Sequence, residues 1–567
     1  MNNLNIQHMP SKKGEGTIEV NGYLLHSKYD PIKEAERFVE KEIDGEIVTV
    51  IFGLGKGYIL NVLKEKEFNP EKIIIIEPIK ELQPVPQRNF TVLKGEPTKI
   101  IKEEIEKKLT YYNSEVKVVS LPNYDRLFIE EYKELLQTVK DVQWLNVVND
   151  NTVRGQSHLW QENEIKNTLN AYYGNSLNVL RKAYKSPVIV ASGGPSLSKQ
   201  LSMLKKVNSK AIIIAAGSTL ITLQKEGITP DYIASIDGNK GNFERHFKDN
   251  DIGDSQLIYS FSNYYEIQKN FPNSTYGFVD NLESTLHRHL CENYNIDLPR
   301  LEGGGSVANF ALSIARFITT GPIALIGQDL AYTDNQTHAK HNKGAMVVTS
   351  EFLTSRGAVE IEGYYGDKVV TDYSLISMKE RFEAIMENIE QPNLIYNCTE
   401  GGVKIRGMQQ MTFIDFCKNY VIDEASKKIL VNEKPNCILN KLMEQYKKEL
   451  RVYTSFIVEL KKGIKALEIT KKQNYFNHST LNTMEKIEKK FKLGIEQVLM
   501  GSIINPIIMD VMLKYEEKQK ESEKERFLRV HSQNETLYNR LLEATQLSKN
   551  FTEEALTELR MKMEEQK

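Results

Sequence analysis

A chain of 567 residues is too long for one hydrophobic core, and ordinary domain sizes predict about three folded parts. Hydrophobic residues make up 40% and charged residues 26%, the balance of a water-soluble globular protein. The formal net charge of −2 excludes a global field that would hold the chain on nucleic acid, so any partner must be selected locally.

The opening MNNLNIQHMP lacks the basic-then-apolar pattern of a signal peptide, and no apolar run approaches membrane-spanning length. Up to about Val148 short β-branched runs alternate with charged helical stretches, which predicts a Rossmann-like α/β domain over 1–148. EIVTVIF (46–52) and KIIIIE (72–77) are continuous apolar strands of the kind a parallel sheet buries on both faces. Between them FGLGKGY (52–58) supplies Gly53, Gly55 and Gly57 for a tight turn, and Glu77 closes the second strand. An acid there can take ribose hydroxyls of a nucleotide; the same glycines also serve a strand-to-helix turn for geometry alone. A helical bridge is expected over 149–185, with Trp160, Leu169, Tyr172, Leu177 and Leu180 packing at roughly helical spacing.

A second α/β texture runs over 186–407. VIVASGGPSLSKQ (188–200) reads as strand, glycine turn and a helix beginning at Ser196. Gly193 and Gly194 there allow close approach, and the helix start offers N–H groups to an anion. AIIIAAGST (211–219) is a strand breaking at Gly217 and Ser218; GITPDYIASIDG (227–238) ends in Asp237; QLIYSFS (256–262) ends in Ser260 and Ser262, followed by Asn263. GGGSVANFALSIARF (303–317) leads into a helix with Ser306 as N-cap, and PIALIGQDLAY (322–332) is a further strand ending in Gly327, Gln328 and Asp329. Five strand ends rich in glycine and small polar residues predict one crevice beyond the carboxyl edge of a mostly parallel sheet, suited to a nucleotide. The polar loop YTDNQTHAKH (332–341) adds His338 and His341, each an acid, a base or phosphate clamp on the functional reading and a solvated surface histidine on the plain one. Asp237 and Asp329 are read as polar residues at adjacent strand ends, able to meet ribose, an amide or a divalent metal, though dependence on metal is not expected.

From about Met408 the texture changes again, and glycine falls to Gly463, Gly494 and Gly501. Long amphipathic helices are expected over 408–567, with Val530, Leu537 and Leu541 on one stripe that packs either on the protein itself or on helices of a partner. Cys291, Cys398, Cys417 and Cys437 form no CxxC pair and no zinc-ligand spacing, and are read as buried or idle thiols of a reducing cytoplasm.

SGGPSL, AAGSTL followed by GITPDYIASIDG, GGGSVAN, GQDLAYT with THA, and NCTEGGVKIRG together resemble the central-domain motifs of the motility-associated factor (Maf) flagellin glycosyltransferases. HSKYDPIKEAERF (26–38) and FGLGKGY resemble that family's flanking region, so the likeness spans most of the first four hundred or so residues. It implies a sialyltransferase-like central domain and a CMP-activated nonulosonic acid (sialic, pseudaminic or legionaminic type) as donor. It also implies serine or threonine of flagellin as acceptor, with no cofactor. With chemistry so assigned to the central domain, FGLGKGY is expected to be architectural or to support acceptor binding.

On that reading Gly193, Gly194, Ser196, Gly217, Ser218, Asp237, Gly304, Gly305, Ser306, Asn309 and Gln328 bind the donor. His338 is the base, and Asp329 either orients it or meets the donor. The same central segment also resembles the archaeal hydroxymethylpterin diphosphokinase, which uses ATP and magnesium. A third reading is a flagellin chaperone with an idle pocket.

Overall fold

The computed structural model describes residues 4–565 except 46, 83–88, 113–115, 281–283, 390–393, 428–429, 432–437 and 518–520, and the side chains of 110–112, 144–154, 284 and 438 lie outside the description as well. Glu46 and Cys437 therefore fall outside it. The chain divides into two compact units, Met1–Arg154 with Asp510–Val530, and Gly155–Met509 with His531–Lys567.

The first unit opens on an antiparallel meander, β1 (Ile6–Pro10), β2 (Gly16–Val20) and β3 (Tyr23–Leu24). A parallel sheet follows from β4 (Val48–Phe52), β5 (Ile73–Glu77), β6 (Thr91–Lys94) and β7 (Val116–Ser120), in the order β6-β5-β4-β7. Every residue of β4 and β5 is buried, the outcome that unbroken β-branched runs predict for strands covered on both faces.

The glycine loop after β4 is filled by the chain itself. Leu54 N–H and Gly55 N–H donate to the Glu77 carboxylate at 2.9 and 3.0 Å, as do Ile79 N–H at 2.8 Å and the Tyr124 hydroxyl at 2.6 Å. Glu77, 1% exposed, thus satisfies the turn's donors itself, and no ribose is needed to do so. Gly53 sits at φ +106°, and a Cβ there would lie 2.5 Å from the Tyr124 ring, so a side chain is excluded by both backbone and space. Glu77→Gln is expected to destabilise this unit by about 2–4 kcal/mol, because buried N–H groups lose a charged acceptor. Urea unfolding followed by circular dichroism checks it. Tight, saturable binding of S-adenosylmethionine or a dinucleotide, lost in that variant, would overturn an architectural role.

In the second unit the strands are β8 (Asn175–Ser176), β9 (Val188–Ala191), β10 (Ile212–Ala216), β11 (Tyr232–Ser235), β12 (Gln256–Ser260), β13 (Thr275–Phe278), β14 (Ile323–Ile326), β17 (Ile395–Asn397) and β18 (Gln409–Gln410), with a hairpin of β15 (Val359–Glu362) and β16 (Lys368–Thr371) inserted before β17. Among the described residues the nine form one parallel sheet, ordered β18-β17-β14-β9-β10-β11-β12-β13-β8. Side chains alternate across it. Val188, Val190, Ile212 and Ile214 pack with Leu312 and Ile314 of the helix Val307–Ile318, whereas Ile189, Ala191, Ile213 and Ala215 pack with Leu197, Leu201 and Leu204 of the helix Leu197–Lys206. This period of two under helices on both faces is the doubly wound arrangement.

The helix expected as a bridge starts earlier and stops sooner: it runs Ile129–Tyr173, and β8 with a short 3-10 turn at Leu177–Leu180 occupies most of 174–185. Leu169, Leu177 and Leu180 are buried; Tyr172 packs in part on the cluster that holds Leu169, whereas Leu177 and Leu180 join the core under the sheet. The C-terminal texture gives helices Ile438–Gln473, His478–Gly494, Gly501–Lys514 and Glu523–Glu565. Leu541 is buried and Leu537 packs alongside it, so that stretch of the stripe serves the protein's own core.

One buried acid sets a pH dependence. Glu164 accepts a hydrogen bond from the Ser502 hydroxyl at 2.6 Å, and burial pushes its carboxyl up to about 8, reinforced by Asp280. The folded chain then holds a proton that the unfolded chain has released. Stability should fall as pH rises from about 4.5 to about 8, by at most about 1.4 kcal/mol per pH unit for this group. Glu164→Gln should flatten that slope in denaturation curves collected across the window.

Candidate functional site

Strand order reverses at β9. Successive strands β10 to β13 step away on one side, and β14, β17 and β18 on the other, so the carboxyl ends of β9, β10 and β14 flank the switch point where ligands of open α/β sheets bind. The SGGPS turn and the GQD turn meet there. Gly194 N–H donates to Gly327 O at 2.9 Å, the Ser192 hydroxyl to Gln328 Oε1 at 2.5 Å, and Gln328 N–H to the Thr399 hydroxyl at 3.1 Å. A Cβ on Gly194 would lie 2.2 Å from Asp329 Oδ2 and 2.5 Å from Gly327 O. The close approach that Gly194 permits is to the chain's own strand end.

Asp329 is 1% exposed. Its carboxylate accepts from Ser196 N–H at 3.2–3.3 Å and from the Ser196 hydroxyl at 2.7 Å, and burial raises its pKa while Ser196 and Thr333 lower it. An anion does sit at the start of the helix Leu197–Lys206, and it is a side chain. Asp329 consequently faces Ser196, and the expected orientation of His338 comes from elsewhere. Asp237 accepts from Asn239 N–H at 3.3 Å within its own turn. Its strand, β11, is separated from β14 by β9 and β10, so the two acids are not at adjacent strand ends and do not form one metal-binding pair.

His338 lies over the β9–β10 side. Its Nδ1 is 3.1 Å from Gly344 O; a carbonyl only accepts, so Nδ1 carries the hydrogen and Nε2 presents a lone pair. Burial lowers its pKa, against the contact with Gly344, which keeps the ring neutral at physiological pH. Ala339 N–H donates to Gly193 O at 2.9 Å, pinning this loop to the SGGPS turn. A Cβ at Gly193 would meet Asn342 Nδ2 at 3.1 Å, Thr219 Oγ1 at 3.2 Å and His338 Cδ2 at 3.8 Å; glycine lets these polar groups close in on the turn. Asn342 Nδ2 donates to Ser218 O at 3.0 Å. Thr219 is wholly buried, and its hydroxyl has no partner.

Gly217 backs onto Phe247, and its Cβ would lie 2.9 Å from that ring. Beside it His246 has an unpartnered Nδ1 and is pushed down to about 4 by burial, with Arg245, Lys343 and His338 adding to the shift. This corner is therefore polar and glycine-floored on the Gly193 side, with Arg245 and Lys343 close to His246. Thr219, His246, Asn342 and Lys343 were not foreseen. Thr219 and Asn342 adjoin motif residues, whereas His246 arrives on the helix Lys240–His246, remote from any strand-end signature.

The remaining candidates separate into two groups. His341 is exposed. Gly304, Gly305 and Ser306 also lie at the carboxyl edge, since the helix Val307–Ile318 precedes the parallel strand β14, but on the opposite face from the helix Leu197–Lys206. Ser306 caps that helix through Asn309 N–H, and the buried Asn309 donates from Nδ2 to Met378 O at 3.2 Å. Arg381 lies against Gly304, its Nε 3.2 Å from where a Cβ would stand.

A doubly wound parallel sheet whose glycine-rich turns meet at its switch point defines the fold class of this protein. Residues 162–335 match the family described as MptE-like, 6-hydroxymethylpterin diphosphokinase MptE-like. The fold over 98% of the chain is that of the MAf glycosyltransferase from Magnetospirillum magneticum AMB-1, with a TM-score of 0.55, 14% identity and 93% of that chain covered. An uncharacterized protein of Treponema pallidum (strain Nichols) is 27% identical over 210 residues, 35% of this chain and 72% of that one. Among the described residues no helix is long and apolar enough to cross a membrane.

Proposed function

We propose that the protein is a cytoplasmic glycosyltransferase that moves a nonulosonic acid from its CMP-activated form to serine or threonine of flagellin. The observation that carries this reading is His338, whose Nδ1–H is committed to Gly344 O so that Nε2 is free to accept a proton beside the glycine-floored corner. The phosphate of the donor sits against Gly193, Ser218, Arg245 and Lys343, with Arg381 and the GGGS turn available to the sugar carboxylate. The acceptor oxygen attacks the anomeric carbon, its proton passes to His338 Nε2, and the bond to the CMP phosphate oxygen breaks, inverting the centre. Asp237, Ser196, Asn309 and Gln328 support this site through their turns.

A second reading is favoured by the family match over residues 162–335: pyrophosphoryl transfer from ATP to a hydroxymethylpterin. Against it, magnesium phosphate chemistry calls for carboxylates facing the phosphates, and Asp329 is engaged by Ser196 while two strands separate Asp237 from it. Incubation with flagellin and CMP-activated sialic, pseudaminic or legionaminic acid, followed by intact-mass measurement, is expected to show a mass increment matched by CMP release. Consumption of ATP and pterin with unmodified flagellin would replace this reading by the second. Flagellin binding with neither reaction would leave a chaperone.

A further inference from the structure

We infer that His287, Cys291 and Asp297 form a zinc site at the edge of the second unit, remote in sequence from the motifs of the candidate site. His287 lies on the helix Ser284–His289, and Cys291 follows on the π-helical turn Leu290–Tyr294. Their spacing of four places both side chains on one helical face. Asn295 then adopts φ +55°, a left-handed residue that turns the chain back, and the buried Ile296 and Leu298 anchor the returning segment on either side of Asp297.

Two separations bear on a shared ion, and the first also lies within reach of a weak sulfur–nitrogen hydrogen bond. Cys291 Sγ is 3.7 Å from His287 Nε2, and His287 Nε2 is 3.7 Å from Asp297 Oδ1. The second distance is too long for a hydrogen bond. Ligand atoms at about 2.0–2.3 Å around a tetrahedral zinc stand roughly 3.4–3.6 Å apart, so small side-chain rotations close the site. All three ligand atoms lie within 4.8 Å of one another, the set of this kind among the described residues.

The surroundings are those of a supported site. Asn178 Nδ2 donates to Asp297 Oδ2 at 3.3 Å, and the Ser176 hydroxyl donates to Asp297 O at 2.6 Å. These bonds hold one carboxylate oxygen aside and leave Oδ1 toward His287, the kind of outer support that orients metal ligands. An open cavity of about 740 Å³, lined by Asn178, Arg181, His287, Asp297, Pro299 and Arg300, opens beside two of the ligands. Thiolate, imidazole and carboxylate together select zinc over magnesium or calcium. Thiolate and carboxylate balance the charge of the ion, and a water completes four-coordination. Comparing cysteines only with cysteines hides this site, because the second ligand is a histidine one helical turn away.

The test uses the full chain stripped with a chelator and titrated with cobalt(II), which reports thiolate ligation by a charge-transfer band. One cobalt per chain with that band, displaced by zinc, is expected. Cys291→Ser should abolish the band, Cys417→Ser should leave it intact, and Asp297→Asn should weaken binding at least about tenfold with an unchanged circular dichroism spectrum. Absence of the band in the wild-type chain, or its survival in Cys291→Ser, would overturn the assignment. Neither result bears on sugar transfer.

Discussion

His338→Ala is expected to cut sugar transfer by about 10²–10⁴-fold, the usual contribution of a general base, while donor affinity stays nearly unchanged. The split follows from geometry: the ring is held by Gly344 O through Nδ1 and lends only Nε2 to chemistry, so its loss removes proton acceptance and leaves the Gly193 and Ser218 side of the site in place. The pH profile is a second check. A base works when deprotonated, and burial lowers this histidine from its ordinary 6.5. Activity should therefore rise with pH through a midpoint below about 6.5 and be flat across neutrality. Equilibrium binding of CMP and single-turnover rates, measured on the same variant, separate the two effects. Near-normal turnover, or retention of configuration at the sugar, would remove His338 from the chemistry.

Asp329→Ala should strongly destabilise the second unit. The buried carboxylate ties the start of the helix Leu197–Lys206 to the end of β14, and without it Ser196 N–H and the Ser196 hydroxyl lose a charged acceptor inside the protein. A loss of about 2–4 kcal/mol is expected, visible as a lowered calorimetric transition. Transfer should drop by one to several orders of magnitude, about tenfold for each 1.4 kcal/mol lost at the transition state, because Ser196 at the end of the SGGPS turn is no longer tied to the end of β14. Asp329→Asn keeps one acceptor oxygen and should recover part of the stability. A variant with wild-type stability and activity would reduce this carboxylate to a passenger.

Much of this architecture is legible in the chain because parallel strands covered on both faces have no polar alternation to disguise them. VIVA, IIIAA, IALI and the two N-terminal runs announce themselves, and the glycine or small polar residues after them mark the carboxyl edge. Strands β8 and β18 are two residues long and carry only asparagine, serine and glutamine; they exist by pairing with a neighbour, which no local pattern records. The long helix Ile129–Tyr173 begins among charges that resemble the preceding surface helices, and its later half buries Gln161, Asn163, Asn167 and Thr168, so no apolar pattern marks its extent. At the site, residue types were readable and partners were not. Ser196 and Asp329 are 133 positions apart, and nothing near either one says that the helix start is capped from a distant strand. The likeness to Maf enzymes is supported at the level of fold over nearly the whole chain.

The position of β9 also governs how the protein comes to be folded. Val188 pairs with Ile212 on one side and with Ile323 on the other, and the second partner appears 135 positions later (323 − 188) in the chain. At synthesis rates of about 5–20 residues per second, the emerging polypeptide carries one open flank of its central strand for roughly 7–27 s. Nonlocal parallel pairing is intrinsically slow to form, so this interval is when the nascent chain is most exposed to mispairing with its neighbours on the same message. Holding factors at the ribosome exit, or slow translation just before β14, would govern the yield of active protein more than the equilibrium stability of the finished sheet.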